Sequence, residues 1–299
     1  MKLRYKAPAL IAAAALAFGI TACADNSASE GEGKTSTDAV ASVKVDEAAR
    51  AALPADIRDG GELIVGSDLG YPPNEYKDAN NKPAGWAVDL VEAVGAKLGL
   101  TVRWEVAAFD QIIPQITGGT YHLGSSSFTD NAERQKSVDF VDYYEAGILH
   151  AQSSGAGLKA DDLCGLKISV QTGTTAHTDV VPAITEECEA AGKPAVDMKV
   201  FDAQEDATQA LVLGNVDVMT ADSPIVLDAI AKTGGKLEQL GDVFDSAPYG
   251  LVTDKNTELT EAVRLALQSL FDDGTYEQIL SDHGVEDGAI EKVTINAGK

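Results

Sequence analysis

Soft metal ligands and nucleophiles are scarce in this chain, which holds three cysteines and four histidines in 299 residues. No C-x-x-C pair, H-E-x-x-H run, nucleophile elbow or phosphate loop occurs, so the sequence signatures of zinc hydrolases, α/β-hydrolases and P-loop enzymes are missing. His122, His150, His177 and His283 are scattered, and His122 before Leu123-Gly124 reads as a packed or surface residue rather than a general base. Positive charge is also short: 23 Lys+Arg stand against 47 Asp+Glu, a formal charge of −24. That balance disfavours nucleic acid and anionic lipid headgroups as partners. The acid pairs Asp161-Asp162 and Asp272-Asp273 read as helix-start and turn residues, not as a catalytic carboxylate pair. After Cys23 no apolar run is long enough to span a bilayer, which argues against a transmembrane sensor.

The N-terminus has the opposite character. Lys2, Arg4 and Lys6 precede an acid-free apolar run from Ala7 to Ile20, and Thr21-Ala22 lead into Cys23. This is the pattern of a secretion signal, too short for a permanent spanning helix. Removing residues 1–22 leaves 277 residues, long for one compact domain and comfortable for two, with a formal charge of −27. Ile20-Thr21-Ala22-Cys23 resembles the bacterial lipobox, which implies a diacylglycerol on the Cys23 thiol. From Ala24 to about Asp59 large apolar residues are almost absent, so residues 23–59 are expected to form a lipid-anchored tether, flexible from Ala24 to Ser42.

Ordered structure is expected from Glu62-Leu63-Ile64-Val65-Gly66, a short strand, followed by a turn through Tyr71-Pro72-Pro73. A hairpin should turn at Asp78 to Lys82; Asp78-Ala79-Asn80-Asn81 lacks the Gly and Glu of a calcium loop and reads as a plain turn. Ala87 to Leu98 has helical spacing and ends at Gly99, and Leu100 to Val106 alternates like a strand. Strand-helix-strand order implies a largely parallel sheet. It recurs with strands at Leu166–Val170, Val196–Phe201 and Val216–Met219, and helices at Ala176–Ala191 and Gln204–Gly214. Two α/β lobes in tandem result. Leu259, Val263, Ala266, Leu267 and Leu270 form the apolar stripe of a late helix, capped by Asn256 or Thr257.

Cys164 and Cys188 remain once Cys23 is set aside, and an exported chain should pair them. A metal or redox pair is the competing reading, with no C-x-x-C or histidine cluster beside it.

An ordered set of motifs runs from residue 62 to residue 284. Val65-Gly66-Ser67-Asp68 with Tyr71-Pro72-Pro73 comes first, then Gly85-Trp86-Ala87-Val88-Asp89-Leu90 and Phe109-Asp110 with Ile113-Pro114. Ser125-Ser126-Ser127-Phe128-Thr129, Glu133-Arg134 and Val138-Asp139-Phe140 follow, and then Gln171-Thr172-Gly173-Thr174-Thr175, Val216-Asp217, Asp222 and Ala247-Pro248-Tyr249-Gly250. In this order they resemble the amino-acid-binding family of bacterial extracellular solute-binding proteins, the lipoprotein receptors of ABC importers. The resemblance implies an α/β, two-lobed periplasmic-binding-protein-like fold of type II, with two hinge strands and a ligand cleft between the lobes. The first lobe would comprise 60–150 and 249–299 and the second 151–248, with crossings near Gly147–Ser154 and Phe244–Gly250.

The same resemblance implies a site without metal or cofactor. Arg134 would bind an α-carboxylate as a planar fork and Asp222 the ammonium. Ser125, Ser127 and Thr129 would add hydroxyls and N–H groups, and Thr174 and Thr175 a turn at a helix start. Asp68, Tyr71, Phe109 and Gln171 would surround the ligand side chain, with Phe109 along its stem. Asp68 favours a basic or amide side chain, whereas Ala87, standing where an acid often follows the aromatic, weakens a purely basic preference. Thr129 and Arg134 are farther apart than the family's commonest spacing of three, which shifts the expected register of Ser125 and Ser127. The implied partners are a free amino acid, the ABC permease and the membrane through its lipid, with no nucleic acid; the chain is expected to be a monomer on the outer face of the cell membrane. A periplasmic-type dehydratase and an amino-acid-sensing receptor on the same fold are the rival classes.

Overall fold

The computed structural model describes residues 38–299, so the signal segment, Cys23 and the first part of the tether lie outside the described residues. The described chain opens with α1 (Asp38–Ala41), α2 (Glu47–Ala51) and α3 (Ala55–Gly60). The expectation of a tether to residue 59 is therefore corrected over residues 38–59. Asp46 caps α2 by accepting from the N–H groups of Ala48 (2.9 Å) and Ala49 (3.0 Å). Arg50 donates to the carbonyls of Leu98 (3.0 Å) and Gly99 (2.8 Å), tying α2 to the next long helix. Ala49, Leu53 and Ile57 recur four apart and are buried against the first core. Average composition hides them: few apolar residues suffice when they share one face and their polar neighbours are bonded.

The α/β part then runs β1 (Glu62–Ser67), a small sheet of β2 (Gly70–Tyr71), β3 (Glu75–Lys77) and β4 (Pro83–Ala84), then α4 (Trp86–Leu98), β5 (Thr101–Val106), α5 (Phe109–Thr117), β6 (Leu123–Gly124) and the long β7 (Val138–Ser153). It continues with β8 (Lys167–Gln171), α6 (Val181–Ala190), β9 (Asp197–Phe201), α7 (Gln204–Val212), β10 (Val218–Asp222), α8 (Ser223–Lys232) and the long β11 (Leu237–Asp254). α9 (Glu258–Asp272), α10 (Thr275–His283) and β12 (Thr294–Ile295) end the described chain. Between β3 and β4 the turn closes on Asp78 Oδ1, which accepts from Asn80 N and Lys82 N at 2.8 Å each. Thr257, not Asn256, caps α9. The helix predicted from Ala176 opens with a wide turn over Ala176–Val180 before α6.

In the main sheet β1 lies parallel between β5 and β6, and β8 parallel between β9 and β10. β7 and β11, antiparallel to each other, join these two parallel halves. Their register shifts between Leu240 and Gly250, in the middle of the pair. Hydrophobic packing follows the same division. One core gathers residues 49–144 and 249–293, led by Trp86, Tyr143, Tyr249 and Tyr276. Two smaller aliphatic cores gather residues 149–240. This is the two-lobed, two-hinge-strand α/β architecture that the resemblance implies.

Cys164 and Cys188 are bonded, with Sγ atoms 2.04 Å and Cα atoms 5.5 Å apart. The bridge joins the loop before β8 to α6, and a loop of this length stabilises by about 3 kcal/mol, largely by restricting the unfolded chain. Among the described residues no helix is long and apolar enough to cross a membrane, and no group of three or more His, Cys, Asp or Glu is arranged to hold a metal ion.

Candidate functional site

Parallel strands deliver their C-terminal ends to one region, where α/β folds place ligand groups. Asp68 follows β1, Ser125 to Ser127 follow β6, Gln171 ends β8 and Asp222 ends β10. The two lobes meet here. Gln171 Nε2 donates to Asp68 Oδ2 at 2.6 Å and to the Asp202 carbonyl at 3.2 Å. Ser126 Oγ accepts from the Asp68 N–H at 3.2 Å and fixes the start of that loop.

Arg134 is half-buried between the lobes. Nη1 donates to the Thr129 carbonyl (2.8 Å) and Nη2 to the Gly173 carbonyl (3.1 Å) across the cleft. Its guanidinium carbon lies 5.5 Å from the ring centres of both Phe109 and Phe128, which stack on each other at 4.5 Å. Burial pulls the Arg134 pKa below its usual range, while the charge of Asp222 acts against that pull. Gly173 has φ +78°, and a Cβ there would stand 2.9 Å from Asp110 Cβ, so only glycine fits this turn against α5.

Asp222 is buried, and Tyr249 Oη donates to its Oδ2 at 2.6 Å. Burial pushes the Asp222 carboxyl up; hydrogen bonds from Tyr249 and Tyr71 and the charge of Arg134 work the other way. Burial likewise raises Asp68, against its bond from Gln171. A third acid, absent from the sequence expectations, completes the set. Glu75 is fully buried on β3, and burial pushes its carboxyl up to about 8, with the Ser127 bonds opposing and the charges of Asp68 and Asp222 adding to the rise.

Glu75 also decides what Ser127 does. It accepts from the Ser127 N–H (3.0 Å) and from Ser127 Oγ (2.9 Å), and Ser127 Oγ accepts from Asn74 Nδ2 (2.8 Å). Trp86 Nε1 donates in turn to Asn74 Oδ1 at 2.7 Å. The donors of Ser127, expected to face a ligand, are thus spent within the first lobe. Ser125 Oγ, by contrast, is buried with no partner among the described residues, as is Gln171 Oε1. Thr174 turns its hydroxyl back to the Gln171 carbonyl (2.8 Å). Thr129, Thr175 and Asp222 line a cleft of about 460 Å³ together with Ile148, Val180 and Asp245.

A match to the family model described as bacterial extracellular solute-binding proteins, family 3, covers residues 63–286. The chain belongs to this family. The arginine-binding protein ArgT of Corynebacterium glutamicum is 34% identical over 249 residues, which cover 83% of this chain and 82% of that protein. Among solved structures, an ancestral arginine-binding protein bound to arginine has a TM-score of 0.68 at 33% identity, covering 74% of this chain and 97% of that one. The same kind of ancestral protein bound to glutamine has a TM-score of 0.68 at 34% identity, covering 76% and 99%.

Within this solute-binding protein the structure brings Asp68 to Gln171, Arg134 to Phe109, and Asp222 to Tyr71 and Tyr249. Tyr249 belongs to the motif Ala247-Pro248-Tyr249-Gly250, and Asn74-Glu75 directly follow Tyr71-Pro72-Pro73. The signal that could have found Glu75 is its place beside Tyr71-Pro72-Pro73. On β3 alone it reads as one polar residue of a surface hairpin.

Proposed function

We propose that the chain captures an L-amino acid with a cationic or amide side chain, arginine foremost, on the outer face of the bacterial cell membrane and passes it to an ABC importer. It does so as a monomer held to the membrane by a lipid on Cys23. The observation that carries this reading is a surplus of acid at the lobe junction: Asp222 feels the charge of Arg134, whereas Asp68 and Glu75 are bonded only to the neutral groups of Gln171 and Ser127. A zwitterion with a second positive charge brings two cations and one anion to this set and brings it close to balance.

Arg134 takes the α-carboxylate, since its two carbonyl contacts use only two of its five N–H groups. Asp222 takes the ammonium. Asp68, Glu75 and Gln171 take the end of the side chain, with Phe109 along the aliphatic stem and Tyr71 holding Asp222. Ser125, Ser127, Thr129, Thr174 and Thr175 shape the surrounding wall. A buried polar atom without a partner costs about 1–3 kcal/mol, so a ligand that reaches Ser125 Oγ and Gln171 Oε1 gains from satisfying them. The arginine-binding relatives support the cationic option and the glutamine-bound ancestral protein the amide option. Capture of this kind needs no cofactor and no bond-making step.

Calorimetry of the chain lacking residues 1–22 against the twenty amino acids tests the reading. Micromolar binding, about −8.2 kcal/mol, is expected for arginine or a close analogue. Binding confined to acidic amino acids, or turnover of prephenate or arogenate, would overturn it. The mass of the N-terminal peptide from membranes tests the lipid, with an unmodified Cys23 as the contrary result.

A further inference from the structure

The family match ends at residue 286, and the chain beyond it returns over the first lobe to the loop that carries Arg134. β12 pairs with the hinge strand β7, Thr294 opposite Asp142 and Ile295 opposite Val141. Asn296 then exchanges two bonds with Phe140, accepting from its N–H at 2.8 Å and donating to its carbonyl at 3.1 Å, and gives Nδ2 to Asp139 at 2.8 Å. Asp142 Oδ2 accepts from Thr294 Oγ1 (2.7 Å) and from the Ala297 N–H (3.2 Å). This strap is well bonded before it reaches the site.

Its next residue touches the Arg134 loop directly. The Gly298 N–H donates to Asp130 Oδ2 at 2.7 Å, and the Gly298 carbonyl accepts from Gln135 Nε2 at 3.0 Å. Gln135 Nε2 also donates to Asp130 Oδ1 at 2.7 Å, so Gly298, Asp130 and Gln135 close a ring of three hydrogen bonds. Asp130 is fully buried. It follows Thr129, whose carbonyl holds Arg134 Nη1, and Gln135 follows Arg134 itself. Both flanks of the arginine are therefore pinned to the strap. Packing is tight as well: a Cβ on Gly298 would stand 2.0 Å from the Asp130 carbonyl oxygen.

We propose that residues Thr294–Gly298 form a strap that positions Arg134, through the Gly298–Asp130–Gln135 ring, for the α-carboxylate of the amino acid. Asp130, Gln135 and Gly298 are positioning residues that act through Arg134. The proposal rests on Arg134 being the carboxylate-binding group. Without the strap, the loop from Asp130 to Gln135 keeps the Asn131 cap on the Arg134 N–H (2.9 Å) and the Lys255 contact to the Gln135 carbonyl (2.6 Å). It also keeps the direct Gln135–Asp130 bond and loses the two bonds through Gly298 that anchor both of its ends to the rest of the first lobe.

Two measurements on the chain lacking residues 1–22 test this. Hydrogen exchange is compared between wild type and Gly298→Ala, with Gln135→Ala as a second variant that removes bonds without adding bulk. Faster exchange is expected over 130–136 with β8 and α6 unchanged, and unchanged exchange over 130–136 in both variants would overturn the strap whatever the ligand. L-arginine affinity is then measured in a double-mutant cycle with Arg134→Lys, which keeps the charge and loses the fork. Gly298→Ala or Gln135→Ala is expected to weaken L-arginine binding about tenfold in the wild-type background and less than twofold beside Arg134→Lys. Equal losses in both backgrounds would mean a structural role that does not act through Arg134 and would overturn the positioning claim. Wild-type protein that gives no L-arginine binding counts against the ligand reading, whereas the exchange result judges the strap separately.

Discussion

The two lobes bury polar groups in different ways. The first encloses Asn74, Glu75, Ser127, Asp130 and Asp142 beside large aromatics such as Trp86, Tyr143 and Tyr276. Its polar groups hold one another: Trp86 holds Asn74, Asn74 holds Ser127, and Ser127 holds Glu75. The second packs aliphatic cores around Leu149, Leu211, Val218 and Leu240 and adds the Cys164–Cys188 bridge. Two of its acidic or amide groups at the cleft reach outside the lobe: Gln171 bonds Asp68 as well as its own lobe's Asp202 carbonyl, and Asp222 is held by Tyr71 and by Tyr249 of the hinge strand. A lobe with an internal network keeps its half of the site formed when the lobes part. A lobe whose site groups are satisfied across the cleft gains from closing, either on the other lobe or on a ligand.

The largest expected effect tests that division at Arg134. Leaving a buried charge without its partner costs about 3–5 kcal/mol, so Arg134→Ala should weaken arginine binding by roughly two to four orders of magnitude in calorimetry. Wild-type affinity in this variant would remove Arg134 from the site. Trp86→Ala attacks the first lobe's network at its aromatic end. It should cost about 3–5 kcal/mol in urea unfolding, because it opens a cavity and strips Asn74 of its donor.

Removing the bridge with Cys164→Ser and Cys188→Ser should cost about 3 kcal/mol. Hydrogen exchange should place the loss in β8, β9 and α6, and a loss spread evenly over both lobes would break the comparison.

Glu75 gives a smaller effect that depends on pH. Its carboxyl, at 4.5 in the ordinary case, is raised to about 8 in the fold. The folded state therefore binds a proton that the unfolded state has released. The stability this group contributes is full below about 4.5 and is lost as pH rises through about 8. Glu75→Gln should flatten that part of the stability profile in thermal melts. A cationic ligand reverses the preference for the neutral form, so arginine binding near pH 7 should release a proton, seen as a heat that depends on the buffer and vanishes in Glu75→Gln. The smallest effect concerns closure, at a lysine that also pairs with Asp228 one turn away at 2.9 Å. Lys232 on α8 lies 5.8 Å from the Tyr76 ring on β3, across the cleft, and Lys232→Ala should weaken binding by about 0.5–1 kcal/mol while the lost helix pair lowers stability by no more than about 0.5 kcal/mol.

Much of the fold was legible in local pattern. β1, β5, β8 and α9 fall where alternation and apolar spacing put them, because each buries a continuous face that the sequence must spell out. Boundaries slipped where tertiary bonds set them: β10 runs to Asp222 because it pairs with β7 along its whole length. Residues 38–59 look like a tether in composition because Ala49, Leu53 and Ile57 are outnumbered by polar neighbours. The expectation of a role for Arg134, Asp222 and Asp68 rests on ordered motifs alone, since an isolated arginine or aspartate carries no mark of burial. Glu75 was missed for the same reason, its burial being fixed by Ser127, 52 residues away.

By itself the sequence determined the alternation of strands and helices, the two-lobe division, the pairing of two cysteines and the acidic surplus, since these follow from composition and short-range periodicity. Only the tertiary structure decided which acids are buried where the lobes meet, that Ser127 serves Glu75, and that residues 294–298 bond to the Arg134 loop. Each depends on contacts between segments far apart in the chain. Burial then raises their carboxyl groups and fixes their geometry, and neither effect exists before the chain has folded.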